Sequence, residues 1–319
     1  MSKPKKRINP KIKNRVNRHI LRMTARKAKK IVGKLAEPWN SKNKRRPPHE
    51  AQTVVVMCIL KILLCRTYDA VDELADDPRL KAILGKNKLP GHSVVHRGMV
   101  KLPTEYLRML NKEIAKAFEL ELVEVIADST GFRLVNSSSW YDIRIKRENR
   151  RKDNVKLHIV CCARTGIILY YRITEWNRSD SPVLRQLIKE LRRFDKAIGD
   201  AGYISVENCR IATAKGAKPY FMVKKNVGLR IKDSEAGAWN NMIAEFRTNK
   251  EEWLNTYHIR SYIEAIISSI KRCFGSTLKS VKKRIQHKEL ALKVIAYNIK
   301  QSLYVECSEL WRLSLWVAP

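Results

Sequence analysis

The chain has 319 residues, enough for two or three domains, and carries 65 Lys and Arg against 31 Asp and Glu, a formal net charge of +34. Because like charges repel within a folded protein, this excess indicates a polyanionic partner, with nucleic acid as the first candidate and an anionic membrane surface as the second. The longest apolar run, residues 54–65, is too short to span a bilayer, and no apolar stretch follows the charged N-terminus, so neither a transmembrane helix nor a secretory signal is predicted.

Residues 1–46 are predicted to form a basic N-terminal arm, with 18 Lys or Arg and Glu37 as the one acid. Its apolar residues recur at helical spacing: Ile12, Val16, Ile20, Met23, Ile31 and Leu35. This spacing predicts an amphipathic basic helix over about 10–35 that ends before Pro38. The arm either orders on DNA or is a solvated tail.

Residues 47–118 are predicted to form an all-helical domain that follows Pro47 and Pro48. Its expected helices cover about 50–65, 69–75 and 104–118, with another around 94–100 for which Ser93 is the predicted N-cap. Short helices joined by tight turns are typical of a helix-turn-helix DNA-binding domain, but a small helical scaffold fits equally well.

From residue 119 to 319 apolar strands alternate with helices, which predicts an α/β domain with a mixed sheet. A buried strand over 122–127 is expected to end at Asp128, and a short strand over 196–199 at Asp200. The other expected elements are a hairpin over 156–173, a strand over 219–223 and helices over 180–194, 206–214, 257–273 and 288–304. Residues 225–255 lack clean periodicity and are predicted to be an insertion.

Asp128 and Asp200 are the first candidate site residues, because ligands of open α/β sheets bind at the carboxyl ends of strands. If the two strands are neighbours, both carboxylates face one crevice. Paired carboxylates in a phosphate-binding protein indicate hard divalent metal ions. Capping of the following turns is the alternative role for both residues.

The predicted helix over 257–273 carries a second group of polar residues. Tyr257, Arg260, Glu264 and Lys271 fall on one helical face at 100° per residue. Glu264 can complete a metal site, and Arg260 can bind a phosphate through two hydrogen bonds. A salt-bridged surface helix, with Arg260 and Glu264 as an i, i+4 pair, is the alternative.

The spacing Tyr257-x2-Arg260-x3-Glu264-x6-Lys271 resembles the Y-(2)-R-(3)-E-(6)-K signature of prokaryotic insertion-sequence DDE transposases. Residues 128–132 and 199–203 are similar to the segments that carry the first and second Asp of that family, in the same order. The resemblance also covers the Lys156-Leu157-His158 strand and the helical domain with its turn at 89–93, and extends over about 46–304.

The resemblance implies an RNase H-like catalytic domain that uses two Mg²⁺ or Mn²⁺ ions, with Asp128, Asp200 and Glu264 as catalytic residues and metal ligands. It also implies that Tyr257, Arg260 and Lys271 contact double-stranded DNA at the terminal inverted repeats of a mobile element. Such enzymes nick element ends and join them to target DNA, usually as a homodimer on paired ends. A metal-dependent nuclease or resolvase of the same fold and a domesticated, non-catalytic DNA-binding protein are the alternatives.

Several residues outside the signature also have predicted roles. A basic run close in sequence to Asp128 is expected to bind the DNA backbone, with a solvated loop as the alternative; it consists of Arg144, Lys146, Arg147, Arg150, Arg151 and Lys152. Trp239 and Trp253 are expected to pack within the insertion, although stacking on a flipped base is open. His158 is expected to be a satisfied strand histidine, with a general base or phosphate contact as the alternative. Seven scattered cysteines without a C-x-x-C pair predict reduced thiols of an intracellular protein and no zinc site. The expected localisation is cytoplasmic, with association to the nucleoid.

Overall fold

The computed structural model describes residues 7–40, 49–119, 124–134, 154–230 and 233–317. The helices in chain order are α1 Pro10–Arg18, α2 Ile20–Val32, α3 Ala51–Leu63, α4 Val71–Asp76, α5 Pro78–Leu84, α6 His92–Lys101, α7 Thr104–Ala115, α8 Asp180–Glu190, α9 Val206–Ala214, α10 Gly237–Thr248, α11 Lys250–Tyr257, α12 Ser261–Phe274 and α13 Lys283–Leu310. The strands are β1 Arg7–Ile8, β2 Glu124–Leu134, β3 Asn154–Cys162, β4 Ile168–Glu175, β5 Lys196–Gly199, β6 Lys218–Phe221, β7 Thr277–Leu278 and β8 Trp316–Val317. Single 3₁₀ turns cover Lys116–Phe118 and His258–Arg260.

The first of two compact units takes its described residues from 115–133 and 154–268. Its sheet has the strand order β4–β3–β2–β5–β6. β3 is antiparallel to β2 and β4, whereas β5 is parallel to β2 and β6. Helix α8 buries Val183 and Leu187 in a core that also contains Val125 and Val160 of the sheet. The predicted α/β unit with a mixed sheet is therefore confirmed.

Strand β2 is longer than the sequence predicts, because it does not end at Asp128. Its pairing with β5 stops at Ile126, two residues before the predicted end of the strand at Asp128. Its pairing with β3 continues to Arg133, which lies opposite Asn154. Asp128 is therefore a mid-strand residue that lies beyond the last residue of β2 paired with β5.

The second unit takes its described residues from 7–114 and 269–317, together with Leu134. Its longest element is α13, which packs against α1, α2, α3 and α6. Ile12 and Val16 of α1 are buried with Leu303 and Tyr304 of α13. The sequence predicted a separate arm, and the structure differs from that prediction. The segment forms two helices interrupted at His19, and their apolar faces pack on this unit. It also differs from the predicted boundaries of the α/β domain, since residues 269–317 belong to the second unit.

One local prediction was wrong, and three helices were not predicted. Ser93 does not cap α6, because that helix begins at His92, whose N–H donates to Asp72 Oδ1 at 2.8 Å. Helix α5 was missed, although the carboxylate of Asp77 accepts from the N–H groups of Arg79 and Leu80 at its start. The predicted insertion over 225–255, which showed no clean periodicity, contains α10 and most of α11. None of the helices in the described ranges combines the length and hydropathy that crossing a bilayer demands.

Candidate active site

The pairing of β2 with β5 places Asp128 and Asp200 beside each other. These two strands are parallel, with Ile126 opposite Ile198. Two residues further along each chain are Asp128 and Asp200, so continuation of the register puts them at the same level. The Ser129 N–H donates to Asp128 Oδ1 and the Gly202 N–H to Asp200 Oδ1, each at 2.8 Å. A neighbouring backbone N–H therefore orients each carboxylate, but only Asp200 is followed by a turn, since Asp128 lies within β2.

Arg260 joins these two carboxylates to Glu264. Its Nη2 atom lies 3.1 Å from Asp128 Oδ2 and 4.0 Å from Asp200 Oδ2, and its Nη1 atom lies 3.1 Å from Glu264 Oε1. The expected i, i+4 pair of Arg260 and Glu264 is thus present, but the same guanidinium also contacts both Asp residues. The three predicted catalytic carboxylates converge on one cation.

The helix over 257–273 is not continuous as predicted. Helix α11 ends at Tyr257, a 3₁₀ turn covers His258–Arg260, and α12 begins at Ser261. The tighter turn lies just where Arg260 leaves the helix surface to reach Asp128. Mid-helix 3₁₀ stretches often mark functional positions.

Burial and charge set the electrostatics of the cluster. The side chain of Asp128 is 14% exposed, whereas those of Asp200 and Glu264 are 41% and 49% exposed. Burial raises the pKa of Asp128, and Asp200 and Glu264 raise it further, against the lowering effects of the Ser129 N–H and Arg260. The carboxylates raise the pKa of the Arg260 guanidinium, although burial opposes them. Three carboxylates around one guanidinium leave an excess of negative charge.

Tyr257 lies near the cluster and is held by aromatic packing. Its ring stacks on Trp253 with centroids 5.4 Å apart and planes 14° from parallel. Burial raises the pKa of its hydroxyl, and Asp200, Asp128 and Glu264 raise it too, while Arg260 lowers it. Trp253 is 1% exposed and also contacts Tyr220 and Phe246. Trp253 therefore supports Tyr257 from within the core.

The structure places the remaining predicted site residues as follows. Trp239 is buried and donates from Nε1 to the Gly228 carbonyl at 3.0 Å, which agrees with packing inside the insertion. Lys271 lies two turns after Glu264 on α12, in the part of that helix that belongs to the second unit, and burial lowers its pKa. The basic run Arg144, Lys146, Arg147, Arg150, Arg151 and Lys152 lies outside the described residues.

A second polar cluster beside Asp128 was not predicted as a unit. Asp180 Oδ1, at the start of α8, lies 2.6 Å from Lys156 Nζ and 3.2 Å from His158 Nδ1. Burial opposes ionisation of Asp180, but hydrogen bonds from His158 and Lys156 outweigh it and lower its pKa to about 2. His158 lies opposite Ser129 in the sheet and is 1% exposed. Its Nε2 atom lies 2.9 Å from Thr174 Oγ1, whereas Nδ1 makes no hydrogen bond of good geometry within the described part of the chain, so the expected satisfied strand histidine agrees with the structure at Nε2 only.

Tyr203 connects this second cluster to the candidate active site. Burial raises the pKa of its hydroxyl, and Asp180, Asp128 and Asp200 raise it further. Tyr203 stands in the 199–203 segment noted in the sequence, but its buried position between carboxylates depends on sheet register. Asp180 carries no local sequence signal beyond its place at a helix start.

The chemistry of the donor set suits a divalent metal ion. Mg²⁺ and Mn²⁺ prefer oxygen ligands, and the three side chains that meet at Arg260 are all carboxylates. Within the described residues, no three His, Cys, Asp or Glu side chains form a ready metal-binding group. The guanidinium of Arg260 is the cation that the carboxylates share, and their excess negative charge fits a doubly charged ion in its place.

The fold and the site define a class of protein: an α/β unit in which adjacent strands and a helix supply carboxylates suited to phosphodiester chemistry. A family model described as a transposase DDE domain matches residues 120–299, and the chain belongs to this family. Searches of curated proteins and of solved structures found no match. Membership supports a transposase function, with the binding of DNA and the general dependence on divalent metal ions that go with it.

Proposed function

We propose that this protein is a DNA transposase that nicks the ends of its mobile element and joins them to target DNA. The observation that carries the proposal is the convergence of Asp128, Asp200 and Glu264 on Arg260 in a chain of the DDE family. The mixed sheet, with three antiparallel strands followed by two parallel ones, fits an RNase H-like catalytic domain.

Asp128, Asp200 and Glu264 would hold two Mg²⁺ or Mn²⁺ ions. Bound there, such ions activate the attacking hydroxyl and stabilise the leaving oxygen of a phosphodiester. Asp128 is the least exposed of the three and is fixed by the Ser129 N–H, so it supplies the rigid side of the site. Asp200 and Glu264 are more exposed and adapt to the substrate.

Arg260 and Tyr257 are proposed to bind DNA at the element end. A guanidinium binds a phosphate through two parallel hydrogen bonds, and Nε of Arg260 is buried with no hydrogen-bond acceptor among the described residues. The Tyr257 ring is held rigidly by Trp253 and presents its hydroxyl beside the carboxylates. Lys271 and the basic run over 144–152 extend the contact along the backbone, and a homodimer on paired ends completes the assembly.

The test is a strand-transfer assay with labelled element ends, taken from inverted repeats that flank the gene, and a target plasmid. Metal-dependent nicking followed by joining is the expected result. Nicking without joining identifies a nuclease or resolvase, and DNA binding without nicking identifies a non-catalytic DNA-binding protein.

A further inference from the structure

The second unit contains a cavity of about 870 Å³, and all of its described lining residues belong to that unit. Its walls are the end of α3 with the following turn, the helix α6, and the segment that leads into α13. The cations that line it are Lys61, Arg97, Lys279, Lys282 and Arg284. Glu289 is the one acid among the described lining residues.

Glu289 offsets only part of this positive charge, since one carboxylate faces five cations, and hydrogen bonds fix its position. One oxygen accepts from the Lys279 N–H at 3.0 Å, and the other accepts from the N–H and the hydroxyl of Ser280 at 2.9 and 2.7 Å. Lys293 lies 3.7 Å away on the next turn of α13. Glu289 thus fixes the wall of the cavity, and the excess of cations remains.

Other contacts hold the walls in place. The side chain of Gln286 donates to the Val281 carbonyl at 2.9 Å, and the ammonium of Lys288 donates to the carbonyl of Val100 at the end of α6. A preformed site loses little conformational entropy when a ligand binds.

Lys61 is the residue whose position requires an explanation. It is 9% exposed on the otherwise apolar helix α3, and its ammonium lies 4.0 Å from the centroid of the Tyr68 ring. Among the described residues its ammonium forms no hydrogen bond and no ion pair, and Glu289 acts on it only through longer-range charge. Burial lowers its pKa, and Lys279 lowers it further, while Glu289 raises it. A buried ammonium without an anion costs stability, so such a residue is expected where an anion binds.

We propose that this cavity is a second DNA-binding site, in which a phosphodiester of the DNA backbone meets Lys61 at the floor and the exposed Arg97 and Arg284 at the rim. The proposal rests on the proposed function, since it assumes a DNA substrate. The N-terminus of α13 adds the partial positive charge of a long helix beside the same walls. The rings of Tyr68 and His96, 5.1 Å apart, line the cavity and can contact the sugar.

The first experiment uses Lys61→Met in the full chain, because a functional and a structural role predict opposite results. If Lys61 serves DNA, removing a buried charge leaves Tm unchanged or raises it, while affinity for a short labelled duplex falls about tenfold. A lower Tm with wild-type DNA affinity would mean that Lys61 only packs against Tyr68, and would overturn the proposal.

A pair of double variants tests the proposed DNA site even if Lys61→Met does not fold. Arg97→Gln combined with Arg284→Gln should reduce the slope of log affinity against log salt by about 1.8, or about 0.9 for each lost phosphate contact. The matched control is Arg79→Gln combined with Lys112→Gln, which removes the same charge from exposed positions of the same unit outside the cavity. Equal slopes in the two variants would overturn the proposal.

A third experiment distinguishes the binding of DNA from the binding of small anions. Inorganic phosphate, added at constant ionic strength, should displace the duplex poorly. If phosphate binds the wild type but not the Arg97/Arg284 variant, and the salt slope for DNA is unchanged, the cavity is a small-anion site and the proposal fails. Strand transfer by the wild type is measured separately, so a failure of the proposed function is distinguished from a failure of this site.

Discussion

The Nη2 atom of Arg260 lies 3.1 Å from Oδ2 of Asp128, although 132 residues separate the two in the chain. The same guanidinium also contacts Asp200 and Glu264, so one side chain neutralises part of the charge of three carboxylates. Arg260 and a divalent metal ion would therefore compete for the same oxygen atoms.

Arg260→Ala should have three measurable effects. Without metal the three carboxylates repel one another, so Tm falls, and Mn²⁺ in the absence of DNA binds more tightly than to the wild type because no guanidinium competes. Cleavage of element ends should fall about 100-fold, equivalent to about 2.7 kcal/mol of transition-state stabilisation. Mn²⁺ affinity is measured by calorimetry. Arg210→Ala, which breaks the exposed pair with Glu207, is the control and should change stability little, because exposed ion pairs contribute little. Unchanged Mn²⁺ affinity in Arg260→Ala would refute the competition.

Asp128→Asn, Asp200→Asn and Glu264→Gln should each abolish metal-dependent cleavage and joining. Each change preserves side-chain size and removes one negative ligand, and the losses should not add, because the three residues act as one unit. DNA binding should persist or tighten, since a negative charge leaves a phosphate-binding site. The measurements are end cleavage, a gel shift and circular dichroism on the same preparations. A folded variant with near wild-type cleavage would remove that residue from the proposed triad.

Gly199→Ala should impair catalysis by displacing Asp200. A Cβ at this position would lie 3.0 Å from Tyr203 and 3.1 Å from Phe221, closer than ordinary contact, and Asp200 is the next residue. Cleavage should therefore fall more than ten-fold, with a stability loss of about 1–3 kcal/mol from overpacking. Gly237→Ala is the control, because a Cβ there meets nothing within 4 Å. Full cleavage activity in Gly199→Ala would show that this contact does not position Asp200.

The cluster around Asp180 predicts a pH-dependent contribution to stability. The pKa of Asp180 is lowered from 3.8 to about 2, so its ionised form stabilises the fold above the unfolded pKa and this contribution disappears as pH falls through the folded value. The free energy of unfolding of the wild type should exceed that of Asp180→Asn by on the order of 2 kcal/mol at neutral pH. This difference should vanish as the pH falls from about 4 to about 2. Urea unfolding across this range measures it, and a constant difference down to pH 2 would contradict the prediction.

The N-terminal helices should combine structural and DNA-binding roles on opposite faces. Deleting residues 1–46 should lower Tm, because Ile12 and Val16 pack on α13. Lys13→Gln with Arg18→Gln and Arg22→Gln changes exposed positions, so it should leave Tm unchanged and reduce the salt slope of DNA binding by up to about 2.7. If the triple variant has the wild-type slope, these helices do not bind the DNA backbone.

The local sequence predicts the sheet strands well, because buried apolar runs of that length are typical of strands. It does not predict features that depend on distant pairing. Asp128 is mid-strand because β3 pairs beyond it, and α6 begins at His92 because Asp72, 20 residues earlier, accepts its N–H. The contact of Arg260 with all three carboxylates depends likewise on strand register and on the 3₁₀ turn at His258–Arg260.

The second unit is assembled from chain segments on both sides of the first, and this order affects biosynthesis. A ribosome completes the α/β unit before it has made α13, against which α1, α2 and α3 pack. Until then the apolar faces of these helices lack their partner, and nascent chains carry surfaces that attract chaperones or aggregate. Messages truncated before α13 should therefore yield protein that is degraded. In contrast, the five strands β2 to β6 of the α/β unit have all been synthesised once translation reaches the end of β6. Folding of the second unit should therefore wait for the synthesis of α13.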